Sequence, residues 1–411
     1  MALKSLLIDA RPLRESPEFR TLWAGMTVSY IGGQMTTFTV ALQVFQLTGS
    51  SLAVGAVGLC TALSIVTFAL FGGAIGDAVD RRRLVLAATS GQTLVSVVLA
   101  VQAFVGLRQL WLLYALVVVQ SMLGALNVPA RRTFLPRLLP KPLVPAGIAW
   151  NVSAMHLAAI TGPMLAGLVI AAGGLQTCYV IDVLTFAAAL NGVARLPAMR
   201  PEGSIARPGA RAVGEALRLI WREPVLRGTF LVDMTVTTLG VPRALFPAIN
   251  AERFGGGALT LGWLAAATAI GGLLGTLASG PVGRTARPGR AQLTFGVVWG
   301  LLIAGFGVSH DLMLSIALLA LAGALDSLCV IFRSTMVQTG TPDGLRGRVG
   351  AAEYVVGSGC PQLGSFRAGA LGSATSSTFS AASGGLVTVA TLIMIGCSLP
   401  AFRRHRAETA E

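Results

Sequence analysis

Uncharged apolar runs long enough to cross a lipid bilayer recur along almost the whole chain. No charged residue occurs from Leu52 to Ile75, from Leu84 to Leu107, from Gln109 to Ala130 or from Pro142 to Ile181. About 20 helical residues at 1.5 Å rise cross the ~30 Å hydrocarbon layer, and a helix satisfies its own backbone hydrogen bonds there. Strict alternation of apolar and polar residues, the mark of a membrane barrel, is absent. With 54% hydrophobic and only 12% charged residues over 411 positions, the chain has far more apolar surface than a soluble core needs. The expectation is an all-α integral membrane protein of twelve spans.

Charge supplies the topology. A net charge of +14 would suggest nucleic acid in a soluble protein. Here the basic residues gather in the short loops that positive-inside sorting keeps in the cytoplasm. With the N-terminus inside, all of the 31 Lys and Arg except Arg108, Arg243, Arg253 and Arg367 fall on the cytoplasmic side. Both termini are therefore expected in the cytoplasm. Cys60, Cys178, Cys329, Cys360 and Cys397 stand singly in apolar runs, so neither a disulfide framework nor a metal site is expected. No Gly-x-x-x-x-Gly-Lys-Ser/Thr run, His-Glu-x-x-His or nucleophile elbow occurs. The chain reads as a non-enzyme without cofactor, partnered by the bilayer and a small molecule rather than by nucleic acid, and as a monomer.

Ser16-Pro17-Glu18 has the pattern of a helix N-cap with Pro at the first position. The predicted spans are 20–46, 52–75, 84–105, 110–129, 146–171, 177–195, 225–249, 259–281, 291–308, 312–333, 349–372 and 380–401. The only long polar stretch, 196–224, is a cytoplasmic linker whose later part is an amphipathic helix on the membrane surface. It separates a six-helix half, 1–195, from a second, 225–411. A gapless shift of 202 residues supports two related halves. It superposes Arg131 on Arg333, Thr133 on Thr335, Pro140 on Pro342, Gly162 on Gly364, Gly167 on Gly369 and Gly73 on Gly275. Parallel repeats of this kind build one class of secondary transporters.

Charges inside spans cost roughly 2.5–3.5 kcal/mol each on insertion scales and are functional candidates by default. Asp233 and Arg243 lie in span 7, Asp326 in span 10, Arg367 in span 11 and Asp182 in span 6. Asp182, Arg243 and Arg367 share a depth near the outer ends, which allows Asp182 to pair with either Arg. His156 in span 5 is either a functional candidate or a packing residue. Glu353 opens span 11, either capping it or pairing with Arg348. Gln34, Gln43, Gln120 and Asn127 give a cavity neutral hydrogen-bonding groups. Trp23, Trp111 and Trp299, near span ends, suit interfacial anchors.

Between spans 2 and 3 stands Gly72-Gly73-Ala74-Ile75-Gly76-Asp77-Ala78-Val79-Asp80-Arg81-Arg82-Arg83. It resembles the Gly-x-x-x-Asp-x-x-x-Arg-x-Arg signature of the major facilitator superfamily of transporters. The resemblance implies the two-half major facilitator fold, and a gating role for Gly73, Asp77, Arg81 and Arg83. In that role Asp77 faces a helix N-terminus, whose partial positive charge attracts a carboxylate; the alternative is a hairpin held in the cytoplasm by its Arg alone. Gly275 to Arg290, the second-half equivalent, has no Asp. Gly162-Pro163-x-x-Ala166-Gly167 resembles the helix bend of exporters in the superfamily, and as easily serves as a small-residue packing face. The span-4 Arg of drug antiporters has no counterpart in Val117–Gly124.

Val128-Pro129-Ala130-Arg131-Arg132-Thr133-Phe134-Leu135-Pro136 and Thr341-Pro342-Asp343-Gly344-Leu345-Arg346-Gly347-Arg348-Val349 are similar to the branch that contains enterobactin and macrolide exporters. That implies efflux of a siderophore or hydrophobic drug across a bacterial inner membrane, by alternating access and proton antiport. Spans 1, 4, 7 and 10 line the cavity in this family, which makes Asp233 and Asp326 the coupling or substrate candidates. The other readings are a lysophospholipid transporter, or a transporter-like protein that moves nothing and acts as a sensor.

Overall fold

The computed structural model describes residues 9–78, 80–132, 134–197, 210–280, 285–342 and 345–406, and the side chains among them except those of 69–78, 129, 132, 210–213, 216, 346, 347 and 351. The described residues are helical throughout, without strands. Helix α1 is Pro17–Thr48, α2 Ser51–Ala78, α3 Arg81–Val105, α4 Leu110–Arg132 and α5 Val144–Ala194. Then follow α6 Ala210–Arg222, α7 Pro224–Thr235, α8 Phe246–Arg253, α9 Ala258–Leu277, α10 Pro288–Val308, α11 Leu312–Gly340, α12 Arg346–Ala374 and α13 Ser377–Ser398. Eight helical stretches among the described residues are long and apolar enough to cross a membrane. One of them, Lys141–Ala194, is 54 residues long, enough for two crossings. It folds back at Gly174, whose φ of 79° needs no Cβ to be tolerated.

The chain forms two compact units. One comprises Met1–Gln43 and Thr67–Arg207, the other Val44–Val66 and Pro208–Glu411. The main division falls inside the polar stretch 196–224. The hairpin 44–66 belongs with the second unit, where a Cβ at Gly369 would stand 2.2 Å from the Ser51 carbonyl oxygen.

The first unit starts from the cap read in the sequence: Ser16 Oγ accepts the Phe19 N–H at 3.2 Å. Asp9, on the segment before α1, accepts from the Arg11 side chain at 2.8 Å and from its backbone N–H at 3.0 Å. Those bonds hold its carboxyl below the usual carboxylate range. Asp80 caps α3 by accepting from the backbone of Arg82 and Arg83. Arg82 reaches back to the carbonyls of Val193 and Ala194, closing the end of α5.

Glycine lets helices of the second unit touch backbone to backbone. A Cβ at Gly271 of α9 would lie 1.7 Å from the Ala320 oxygen of α11, and one at Gly323 only 2.0 Å from the Thr268 oxygen. The predicted uninterrupted span 225–249 is corrected. Helix α7 passes into a π turn over Val236–Gly240, and a 3₁₀ turn over Arg243–Leu245 precedes α8. Pro242 supplies no N–H, so the α ladder cannot run through this point. Trp299 is likewise corrected from an interfacial anchor to a core residue: it is buried, and its ring fills the space where Gly240 lacks a Cβ.

The repeat is visible in the packing. Gly162 sits on α1 with its missing Cβ 2.5 Å from Gln34 Cβ. Its partner Gly364 sits against Thr237, 2.1 Å from the carbonyl oxygen. Each half thus uses the same glycine to seat its fifth span on its first.

Candidate functional site

The second unit assembles an ionic cluster from helices far apart in sequence. Asp233 lies two residues before the end of α7, among the buried residues Thr229, Phe230 and Val232. Arg333 on α11 places Nη1 2.5 Å from Asp233 Oδ2, a close ionic contact without hydrogen-bond alignment. Its Nε donates to Glu353 Oε1 on α12 at 3.3 Å, and Ser334 Oγ donates to the same oxygen at 2.6 Å. Asp233 and Arg333 are 5% and 6% exposed, so this charge is taken out of solvent. Gly357 lies one turn beyond Glu353, and a Cβ there would approach Arg333 Nη2 to 3.2 Å. The absence of a side chain gives the guanidinium its room.

Asp326 lies two helical turns before Arg333 on α11, hence on the same face. It has neither a hydrogen bond nor an ion pair among the described residues, and it feels the charges of Asp233, Arg243 and Arg333. Deep in the unit, it still keeps some solvent-accessible surface. Arg243, exposed, heads the 3₁₀ turn after the break in span 7. Arg367 on α12 lies over Gly384, where a Cβ would meet its Nη2 at 2.6 Å, and its Nε is buried without a hydrogen-bond partner. The cluster therefore sets two carboxylates on one shared guanidinium, with a third carboxylate, Asp326, and a second cation within electrostatic range. That surplus of negative charge can be neutralised by a proton or by a cationic group of a ligand.

The first unit handles its buried polar groups differently. Asp182 is fully buried, and its Oδ2 accepts from Thr36 and Ser96 at 2.7 Å each. Thr185 donates to its Oδ1 at 3.4 Å. The considered pairing of Asp182 with Arg243 or Arg367 is thus corrected: hydroxyls from α1, α3 and its own helix take up the carboxylate. Gln43 and Gln102 exchange two amide hydrogen bonds at 3.1 and 3.2 Å, and Tyr179 donates to Gln43 at 2.6 Å. Gln43, 6% exposed, is therefore a packing contact rather than a free cavity group. Asn127 donates to Thr89 and Gln92, while its Oδ1 and the Gln120 Oε1 are buried without partners. Gln34 is exposed, apart from the Cβ on which Gly162 rests. His156 is half-buried and makes no hydrogen bond or ion pair among the described residues. Gly162, Pro163 and Gly167 are all buried, and α5 runs on through Pro163.

In the hairpin, the side chains of Gly73 and Asp77 lie outside the described residues. Arg81 is half-buried and Arg83 exposed.

Reading the sequence alone missed two members of the cluster. By hydropathy Arg333 reads as the cytoplasmic end of span 10, and Glu353 as a cap or a partner of Arg348. Arg348 instead pairs with Glu215 of α6. The signal was present in the repeat, which superposes Arg333 on Arg131. Arg131 is likewise buried, at 9% exposed, and hydrogen-bonds Thr89. At the shifted positions of Asp233, Asp326 and Glu353, the first half has Ile31, Gly124 and Asn151. The arginine is common to both halves; the acids are not.

Comparison with known proteins gives one consistent answer. A profile of the family described as transmembrane secretion effector matches residues 9–411. The chain is 25% identical to the enterobactin exporter EntS of Shigella boydii and of Escherichia coli, over 99% of this chain and 97% of the relative. Among solved structures, it shares the fold of the nucleoside transporter NupG, with a TM-score of 0.74 and 10% identity over 94% of this chain and 99% of that one. It also shares the fold of an inward-facing bacterial homologue of the iron transporter ferroportin, with a TM-score of 0.69 and 16% identity over 95% and 99%. The chain belongs to the transmembrane secretion effector family of the major facilitator superfamily, and is a multi-pass membrane transporter rather than an enzyme.

Proposed function

We propose that the protein exports an organic small molecule, a siderophore or hydrophobic drug, across the bacterial inner membrane by alternating access coupled to proton antiport. It acts as a monomer of twelve spans with both termini in the cytoplasm. The observation that carries this reading is the buried Asp233–Arg333–Glu353 cluster with the unpaired Asp326 beside it. A carboxylate held in low dielectric without a fixed partner can exchange a proton against cargo, since either occupant relieves the same surplus charge. Arg333, shared between two acids, can follow whichever remains ionised. The likeness to EntS favours export and a siderophore-like cargo. Asp77, with Gly73, Arg81 and Arg83, is the cytoplasmic gate in this scheme.

The test is pH-driven uptake into inside-out vesicles of siderophores, macrolides and lysolipids, in wild type, Asp233→Asn, Asp326→Asn and Asp77→Asn. Asp326→Asn is expected to abolish the pH dependence while leaving cargo binding, and Asp77→Asn to slow flux with insertion intact. Proton-driven flux surviving in both Asp233→Asn and Asp326→Asn would sink the coupling assignment. Absence of flux for every compound would favour the sensor reading.

A further inference from the structure

A second feature of the same unit borders the ionic cluster without sharing a residue with it. Where α6 joins α7, an apolar groove opens to the outside. Trp221 of α6 forms one wall, Phe230, Leu231 and Met234 of α7 the floor, and Val356 of α12 the other side. Arg227 is the one charged residue in its lining. Helix α6 is fixed in place rather than loose. Ile220 is buried in a cluster with Leu226, Phe230, Val337 and Val349, and Glu215 pairs with Arg348. The groove is therefore a built feature of the unit.

Its chemistry is that of a molecule with a charged head and a long apolar tail. Arg227 is half-buried, its Nε has no hydrogen-bond partner, and it makes no ion pair among the described residues. From Arg227 to Met234 the lining descends two turns along one face of α7, roughly 10 Å of depth. Trp221, 57% exposed, and Met234, 42% exposed, offer apolar surface along that path. Arg218 and Arg222 stand exposed on α6; against them Glu223 is also exposed, while Glu215 is occupied by Arg348. Arginines next to an apolar channel at the end of a membrane-embedded helix fit an anionic head at the interface and a tail in the hydrocarbon.

We propose that this groove holds one anionic phospholipid, its phosphate on the Arg227 guanidinium and an acyl chain along Phe230, Leu231 and Met234. The lipid is a resident, not cargo. It fills the wedge between α6, α7 and α12 and ties the linker helix to its unit.

The test is native mass spectrometry and thermal melting of the full chain in detergent, titrated with phosphatidylglycerol or phosphatidylcholine of identical chains. One phosphatidylglycerol is expected to be retained in preference and to raise the melting temperature. Arg227→Gln should weaken that retention about fivefold, the effect of one interfacial arginine. Met234→Trp, which fills the tail channel, should lose both lipids. Equal retention of the two lipids, unaltered by Arg227→Gln, would overturn the proposal. So would stabilisation by inorganic phosphate alone, or an adduct with the mass of a second chain. Should Arg227→Gln fail to fold, Arg227→Lys with Met234→Trp decides the same question, because preference must survive the first and vanish in the second.

Discussion

At the scale of single residues, the two units use buried charge in opposite ways. Asp182 is enclosed by hydroxyl donors, with short hydrogen bonds from Thr36 and Ser96 and a longer one from Thr185, and nothing about it is left over for chemistry. Asp326 has no such partner. Removing the Asp182 carboxylate strands the hydroxyls of Thr36 and Ser96, and a buried unsatisfied polar group costs about 1–3 kcal/mol. Asp182→Ala should therefore lower the melting temperature of the purified protein while flux per folded molecule keeps its pH profile. Loss of the pH profile would move Asp182 into the coupling machinery. Asp182, Asp233 and Asp326 were legible in the sequence because a charge within an apolar run stands out. Their roles were not, since the partners of Asp182 lie 146 and 86 residues away. Arg333 and Glu353 escaped because they fall toward the ends of the apolar runs, although their helices continue two turns beyond them.

At the scale of elements, close approach rather than apolar attraction decides which helices pair. Lipid is as apolar as leucine, so helices gain by backbone contact and fit. Alanine favours a helix over glycine by about 1 kcal/mol. At Gly305, where a Cβ would meet Leu318 side-chain carbons at no less than 3.5 Å, that gain should come through. At Gly271 a Cβ only 1.7 Å from the Ala320 oxygen would force α9 and α11 apart, and overpacking of this kind costs about 1–3 kcal/mol. Gly271→Ala should thus melt earlier than wild type and Gly305→Ala should not, as read by thermal unfolding in detergent. The glycines were visible in the sequence, but the face each one presents was not. Helix positions were read well from the apolar runs. The break at Val236–Leu245 was missed, since Gly240 and Pro242 interrupt the helix without interrupting its hydropathy.

At the scale of the whole molecule, the class was legible from composition and the family from two loops and a hairpin. The division into units was only partly so. The polar stretch marks the principal boundary, whereas no composition change announces that 44–66 groups with the later residues. The distribution of Lys and Arg predicts orientation. Reporter fusions after Arg406 and in the linker near Arg207 should give cytoplasmic signals, and one at Gly106 an external signal. Replacing Arg81, Arg82 and Arg83 together by Gln should blur that pattern, because those charges anchor the first hairpin.

The π turn at Val236–Gly240 has a bearing on how such a chain can change over time. A π turn carries one residue more than an α turn closing the same stretch of axis. It separates two segments with independent anchors: Thr229 donates to Gln292 before it, and Phe246 stacks edge-on against Phe306 after it. Losing a residue within that turn would restore an α turn and leave both anchors in their sockets. The same deletion elsewhere in a packed helix rotates everything beyond it by about 100°. This short stretch, with Gly240 seated on Trp299, is therefore where a membrane-crossing segment can absorb a change in its length without surrendering the packing on either side.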